Sequence, residues 1–230
     1  MSAGAPKNAA TVILLRSGES GGIEVFLTRR PERMDFLGGA YVFPGGTVRK
    51  EDYSEKLLKR CAGIAPLQAR DILGAHLKQE VALAHWIAGI RELFEETGVL
   101  LAATPDGRIA DMNEERRRRV VQRRNSFQEM LEAADLFLDV GALRYFSHWL
   151  TPEEFAVRFD TRFFIAVLPS DQTPLERSEE VAHSLWLTPE RAMQLYARGS
   201  LPMIFPTYAS LRTLADFDSV QSLVKEYGTA

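Results

Sequence analysis

The residues best equipped for chemistry lie in Arg91-Glu92-Leu93-Phe94-Glu95-Glu96-Thr97-Gly98-Val99. Glu92, Glu95 and Glu96 stand at i, i+3 and i+4, and at about 100° per residue they share one face of a helix. Like charges at this spacing repel one another in an isolated helix. A hard divalent cation such as Mg²⁺, held through oxygen ligands, removes that repulsion and makes the cluster useful toward anions. The same spacing also describes an ordinary solvated helix face, so the three carboxylates alone leave both readings open. A second feature points to an anion. Tyr41-Val42-Phe43-Pro44-Gly45-Gly46 reads as a strand running into a glycine turn, where missing Cβ atoms let backbone approach a phosphate closely.

These groups need a frame. Gln79–Thr97 reads as a helix ended by Gly98, the residue type expected just past a helix C-terminus. Leu83, Trp86, Ile87, Ile90, Leu93 and Phe94 gather opposite the glutamates, so the helix is expected to bury one side and present the carboxylates on the other. Residues 11–15 and 23–28 are β-rich runs separated by hairpin-like punctuation at 17–22. A short strand is expected at 40–43, short helices at 52–61 and 67–77, a buried strand at 99–103, and helix across 113–138 with a break near Asn125-Ser126. Residues 143–150, 161–168 and 181–187 are β-type. Thr188 as N-cap with Pro189 behind it opens a helix, and two more helices follow at 207–216 and 219–227. No repeat, low-complexity linker or composition shift divides the chain. The reading is one α+β domain over residues 1–230, with a tail at 1–10, helical insertions at 53–78 and 108–138, and C-terminal helices over 207–227.

Composition narrows the classes. Of 230 residues, 46% are hydrophobic and 26% charged, which rules out wholesale disorder. A chain of this length buries roughly 70–75% of its unfolded surface without staples. A net charge of −3 supplies no global field for nucleic acid or an anionic membrane. The single cysteine, Cys61, excludes an internal disulfide and a cysteine-based zinc site, and it is compatible with a reducing cytoplasm. The longest uninterrupted apolar run, 163–168, falls far short of the roughly 18–20 residues a span needs, and residues 1–10 are small and polar, unlike a signal segment. A cytoplasmic protein with no membrane or nucleic-acid partner is expected.

With these residues set out, the chain resembles the Nudix hydrolases. Their box reads Gly, five residues, Glu, seven residues, then Arg-Glu-aliphatic-any-Glu-Glu-any-Gly-aliphatic. Arg91, Glu92, Leu93, Glu95, Glu96, Gly98 and Val99 fill every specified position of the second half. The first half begins at Gly46, and Asp52 stands where the pattern has glutamate. Residues 53–90 lie between Asp52 and Arg91, where the pattern has seven, so the box is split. Val25-Phe26-Leu27-Thr28-Arg29-Arg30 and the stretch from Phe36 to Gly46 resemble the segment before the box in coenzyme A diphosphatases. His148-Trp149-Leu150-Thr151-Pro152 and Arg158-Phe159-Asp160-Thr161-Arg162-Phe163-Phe164 resemble the acyl-CoA diphosphatase branch, which also carries a long insertion inside its box.

The resemblance implies an α/β/α sandwich with a mixed sheet and a helical insertion within the box. It implies Mg²⁺- or Mn²⁺-dependent attack of water on a diphosphate, the metal bridging Glu92, Glu95 and Glu96 to phosphate oxygens. Glu92 and Glu96 are the firmest ligands, and Glu95 is a third ligand or the general base. Glu179 and Glu180, just before the 181–187 run, are the candidates for a base outside the box. Arg91 is expected to orient the loop–helix–loop by pairing with Asp52 or a glutamate. Gly45 and Gly46 serve the turn where the diphosphate would bind, and Gly98 serves the helix end. Arg29, Arg30 and Arg33 could grip phosphates, an adenosine 3′-phosphate among them, through bidentate contacts, or be solvated loop arginines.

The implied substrate is a small-molecule nucleoside diphosphate derivative, CoA or acyl-CoA, cleaved to 3′,5′-ADP and (acyl-)phosphopantetheine. An ADP-ribose, dinucleotide or nucleotide-sugar pyrophosphatase is the alternative within the enzyme class. A non-catalytic nucleotide-sensing protein is the alternative outside it, against which the retention of all three carboxylates counts. The run Glu114-Glu115-Arg116-Arg117-Arg118-Arg119, with Arg123 and Arg124, reads as a solvated helix face rather than a nucleic-acid site. His76, His85, His148 and His183 lack metal-ligand spacing, and Tyr145, Phe146 and Trp149 read as core or partner-facing. The two insertions have three roles open to them: covering a pocket, selecting an acyl group or forming a homodimer surface.

Overall fold

Solid apolar runs, rather than alternating ones, mark strands buried on both faces, and Thr11–Leu15 sits inside such a strand. The computed structural model describes residues 4–228 apart from 20, 34–36, 108–113, 124–126, 176–180 and 182. Its first elements are β1 (Lys7–Ser17), β2 (Ile23–Arg29), β3 (Tyr41–Val42) and β4 (Gly45–Thr47), then a 3-10 turn at Lys50–Tyr53. There follow α1 (Glu55–Leu58), β5 (Cys61–Ala62), α2 (Pro66–Leu73), α3 (Gln79–Thr97), β6 (Ala102–Ala103), α4 (Glu114–Arg123), α5 (Phe127–Ala133) and β7 (Phe137–Asp139). The chain closes with β8 (Arg144–Leu150), β9 (Phe159–Val167), β10 (His183–Leu187), α6 (Pro189–Ala197), α7 (Phe205–Leu214) and α8 (Val220–Glu226).

A seven-stranded mixed sheet runs β10-β2-β1-β9-β8, with β3 beside β2 and β4 beside β1. Its spine is the parallel pair β1/β9, in register from Lys7 opposite Phe159 to Leu15 opposite Val167. The other pairs in this sheet are antiparallel. Alternate residues of the spine then face two helical layers. Ala10, Val12, Leu14, Phe164 and Ala166 pack with Trp86, Ile87, Ile90 and Leu93 of α3. Ile13, Leu15, Phe163 and Ile165 pack with Leu211, Leu214 and Leu223 of α7 and α8. Each fully buried Leu or Ile contributes roughly 1.5–3 kcal/mol. Gly89 lets α3 lie close on the sheet, since a Cβ there would stand 3.2 Å from Val12 and Leu143 side-chain carbons. The α/β/α layering expected from the sequence is therefore present.

Several expectations need correction. The tail ends before Lys7, because residues 7–10 already pair with β9 and the amide of Lys7 donates to the Arg158 carbonyl. The two insertions are not purely helical. Cys61 and Ala102 both pair with Leu138, so β5, β7 and β6 form a second, three-stranded sheet that ties the insertions together. Residues 99–101 are buried without being strand: the side chain of Gln172 supplies both backbone bonds of Leu100, accepting from its N–H and donating to its carbonyl at 2.9 Å. Most consequential is α3. It is buried from Ala82 to Thr97 except at Glu95, so it has no solvated carboxylate face. Leu57, Ile64, Leu73, Phe127, Met130 and Leu138 from the insertions join the core around it. The run 114–119 is likewise not wholly solvated, since Arg117 is buried.

One consequence concerns acid. His85 on α3 is fully buried, its Nδ1 lies 2.8 Å from the Val81 carbonyl, and its Nε2 has no partner among the described residues. Burial, with the nearby Arg162 charge adding to it, pulls its pKa down from 6.5 to about 4 against the raising effects of Val81 and Asp160. The imidazole is thus neutral in the folded protein while the unfolded chain protonates near 6.5. Stability is full above pH 6.5 and falls as pH drops toward 4, by about 3 kcal/mol from this group. Urea unfolding from pH 7 to 4.5 is expected to show a slope flatter by up to one proton in His85→Leu. Identical slopes would remove His85 as the cause.

Candidate active site

The site is assembled where β4 and the following 3-10 turn meet the last turns of α3. Gly98 ends α3 in the left-handed conformation (φ 70°), its N–H donating to the Phe94 carbonyl, as a helix-terminating glycine should. Buried Arg117 from α4 donates to the Gly98 carbonyl at 2.9 Å and the Thr173 carbonyl at 3.1 Å, so the second insertion braces this helix end.

At the other side of the cluster, Arg91 and Asp52 form a buried fork. Arg91 Nε donates to Asp52 Oδ1 at 2.7 Å and Nη2 to Oδ2 at 2.9 Å, while Nη2 also reaches the Thr47 carbonyl at 2.9 Å. Arg91 Nη1 donates to Glu92 Oε1 at 2.6 Å and to Glu95 Oε2 at 3.2 Å. Asp52 additionally accepts the Arg49 backbone N–H at 2.7 Å. The guanidinium thus ties β4, the 3-10 turn and α3 at one point. Burial works against its charge, but the hydrogen bonds it donates to Asp52 and the charges of Glu92, Asp52 and Glu95 outweigh it and raise its pKa. For Glu92 burial prevails: its pKa is raised despite the neighbouring Arg91 charge.

The glycines before the fork make room for protein. A Cβ on Gly46 would lie 2.5 Å from the Glu92 carboxylate, and one on Gly45 would lie 2.5 Å from the Ala10 carbonyl oxygen. Their missing side chains admit Glu92 and β1 rather than an open cleft. The basic loop is pinned in part: Arg29 donates to the Gly39 carbonyl at 3.2 Å and to Glu32 at 2.9 Å, and its guanidinium lies 6.0 Å from the Tyr41 ring centre. Arg30 lies in the backbone ladder that joins it to Ala40 and Gly39, and Arg33 is exposed. Arg29 closes β2, and Arg30 and Arg33 belong to the β2–β3 connection. Glu179 and Glu180 lie outside the described residues.

One functional candidate escaped the sequence reading. Arg49 reaches over the carboxylates, donating to Glu95 Oε1 and Oε2 at 3.3 and 3.2 Å and to Glu92 Oε1 at 3.4 Å. Its only sequence signal is its place between Gly46 and Asp52. The donor set, all carboxylate oxygen, suits Mg²⁺ or Mn²⁺. As the side chains stand, no three acidic, histidine or cysteine groups among the described residues converge to hold an ion. The two arginines occupy Glu92 and Glu95 instead.

This arrangement can now be set beside known proteins. The family model described as the NUDT19 Nudix domain matches residues 6–214. The chain belongs to this family of Nudix domains. Among curated relatives, the acyl-coenzyme A diphosphatase NUDT19 of Gallus gallus is 31% identical over 88% of this chain and 64% of its own length. That of Xenopus laevis is 28% identical over 88% of this chain and 62% of its own. The Nudix domain therefore spans less than two thirds of these relatives. A solved Nudix hydrolase from Alicyclobacillus acidocaldarius matches with a TM-score of 0.81 at 27% identity, covering 96% of both chains. In this Nudix domain α1, β5 and α2 separate the halves of the box in sequence, and the Asp52–Arg91 fork rejoins them in space.

Proposed function

We propose that this Nudix domain hydrolyses the diphosphate of CoA or an acyl-CoA, giving 3′,5′-ADP and (acyl-)phosphopantetheine. The observation that carries the hydrolytic reading is that Glu92 and Glu95 are bonded to Arg91, and through it to Asp52 in the first half of the box, with Glu96 following on the same helix. The relatives named acyl-coenzyme A diphosphatases support the choice of substrate. Glu92 and Glu96, both buried, and half-buried Glu95 are the proposed metal ligands. When bound, Mg²⁺ or Mn²⁺ would neutralise phosphate charge and acidify water.

Arg91 keeps Glu92 and Glu95 oriented while Asp52 keeps Arg91 oriented, so the carboxylates need no reorganisation during reaction. Glu95, the most exposed of the three, is the box residue best placed to take a proton from attacking water; Glu179 and Glu180 are the proposed alternatives. Arg29, Arg30 and Arg33 are proposed to meet the 3′-phosphate. No described helix is long and apolar enough to cross a membrane, and we place the protein in the cytoplasm with a small-molecule partner.

The test compares products from CoA, dephospho-CoA, an acyl-CoA, ADP-ribose and a diadenosine polyphosphate with Mg²⁺ or Mn²⁺. The expected result is 3′,5′-ADP from CoA or acyl-CoA, with dephospho-CoA poorer by at least about tenfold in kcat/KM, the size of a lost charge-assisted contact. Preference for ADP-ribose or the dinucleotide would overturn the substrate while keeping the reaction class. No turnover of any would overturn the hydrolytic reading.

A further inference from the structure

Two cations sit among the box carboxylates, and they are held very differently. Arg91 is 4% exposed and makes five hydrogen bonds to Asp52, Thr47, Glu92 and Glu95. Arg49 has a side chain 46% exposed, and its three contacts with Glu92 and Glu95 span 3.2–3.4 Å. A well-formed charge-assisted bond is shorter, about 2.7–2.9 Å. The backbone of Arg49, by contrast, is fixed, since its N–H donates to buried Asp52 at 2.7 Å and its carbonyl accepts from the Asp52 N–H at 3.1 Å. A rigid root therefore carries a loosely held, half-exposed guanidinium. That head occupies Glu95 through both oxygens and shares Glu92 Oε1 with Arg91. These are oxygens that the proposed metal needs.

We propose that Arg49 is a removable counter-ion. It fills the carboxylate site while no metal is bound, and on metal loading its guanidinium leaves Glu92 and Glu95 and turns to the substrate's diphosphate. The inference rests on the metal-dependent reading above and deepens it. Arg91 alone faces Asp52, Glu92 and Glu95, so negative charge remains in excess in the partly buried site, and Arg49 offsets that excess without closing the site permanently. Arg91 cannot play this part, because removing it would strand Asp52 in the core. Once displaced, the guanidinium is a planar fork whose root lies beside the cluster, and a fork that fits a carboxylate also fits phosphate oxygens. Metal binding and diphosphate binding are thereby coupled through one side chain.

The test measures Mn²⁺ binding by electron paramagnetic resonance on the full chain without substrate. It then measures imidodiphosphate binding at saturating Mn²⁺, for wild type, R49Q and R49K. R49Q is expected to bind Mn²⁺ about tenfold more tightly, because a charge that competes for the ligands is gone. It is expected to bind imidodiphosphate about tenfold more weakly. R49K should fall between, since an ammonium keeps the charge but cannot bridge both glutamates. Thermal melts check that each variant is folded. Wild type that binds no Mn²⁺ would overturn the metal reading and this inference together. Wild type that binds Mn²⁺ with R49Q equal or weaker would overturn the inference alone. Unchanged imidodiphosphate binding in R49Q would overturn the transfer to the diphosphate. R49K identical to wild type in both measurements would reduce Arg49 to a diffuse charge and overturn the proposal.

Discussion

Replacing Glu96 by glutamine is expected to lower kcat by about 10³-fold or more while leaving the protein folded. Glutamine keeps the shape of the side chain and removes only the charge and one strong oxygen donor. Glu96 lies in the last turn of α3, and melting curves on the variant separate loss of a ligand from loss of a contact. Glu92 is bonded to Arg91 at 2.6 Å and Glu95 carries both arginines, so substitutions there mix loss of a ligand with loss of a structural tie. Glu96 is buried, and a neutral amide costs less to bury than a carboxylate of the same size. Steady-state kinetics at saturating Mn²⁺, with circular dichroism and melting curves on the same samples, test the expectation. Activity within about tenfold of wild type would remove Glu96 from the ligand set.

That the helix bearing these residues could be read from sequence follows from local signals. Gln79–Thr97 has helical periodicity, no interior proline and a glycine at its end, and the structure returns the same bounds with Gly98 at φ 70°. Thr188 and Pro189 announced α6 in the same way. Burial of the carboxylate face had no such signal. It comes from Gly46, whose missing side chain admits the Glu92 carboxylate, and from Arg49 and Asp52, which contact Glu92, Glu95 and Arg91 from a segment far away in the chain. The early start of β1 at Lys7 is equally non-local, since its small and polar residues become strand by pairing with β9. Arg49 and Arg117 look like ordinary charged residues until their partners Glu95 and the Gly98 carbonyl are placed beside them. Local chemistry was legible, whereas the counter-charges that tune it depend on contacts between distant segments.

The Asp52–Arg91 fork gives the largest stability effect. Residues 53–90 could fold as a long detour only if its two ends were fastened, and the fork fastens them at the site itself. Asp52 is fully buried and accepts from Arg91 twice and from the Arg49 backbone once. Alanine at position 52 would leave a buried guanidinium without its chief partner and a backbone donor without an acceptor. Breaking a buried pair in this way costs about 3–5 kcal/mol. For a chain of this size that corresponds to a fall in Tm of roughly 10 °C. Asparagine should be intermediate, because one carbonyl oxygen remains while the amide turns a donor toward donors. The unpaired Arg91 would also be drawn fully onto Glu92 and Glu95, so activity should drop by about 10²-fold or more even at temperatures where D52A is folded. The control is the double variant D52L/R91M. Removing both charges relieves the uncompensated burial, so stability should recover by several kcal/mol relative to D52A, while activity should not, because Glu92 and Glu95 have lost the group that orients them. Urea unfolding of the three variants decides the matter. A loss below about 1 kcal/mol in D52A, within the range of an exposed ion pair, would mean that the split box is held together by the packing of α1 and α2 rather than by this fork.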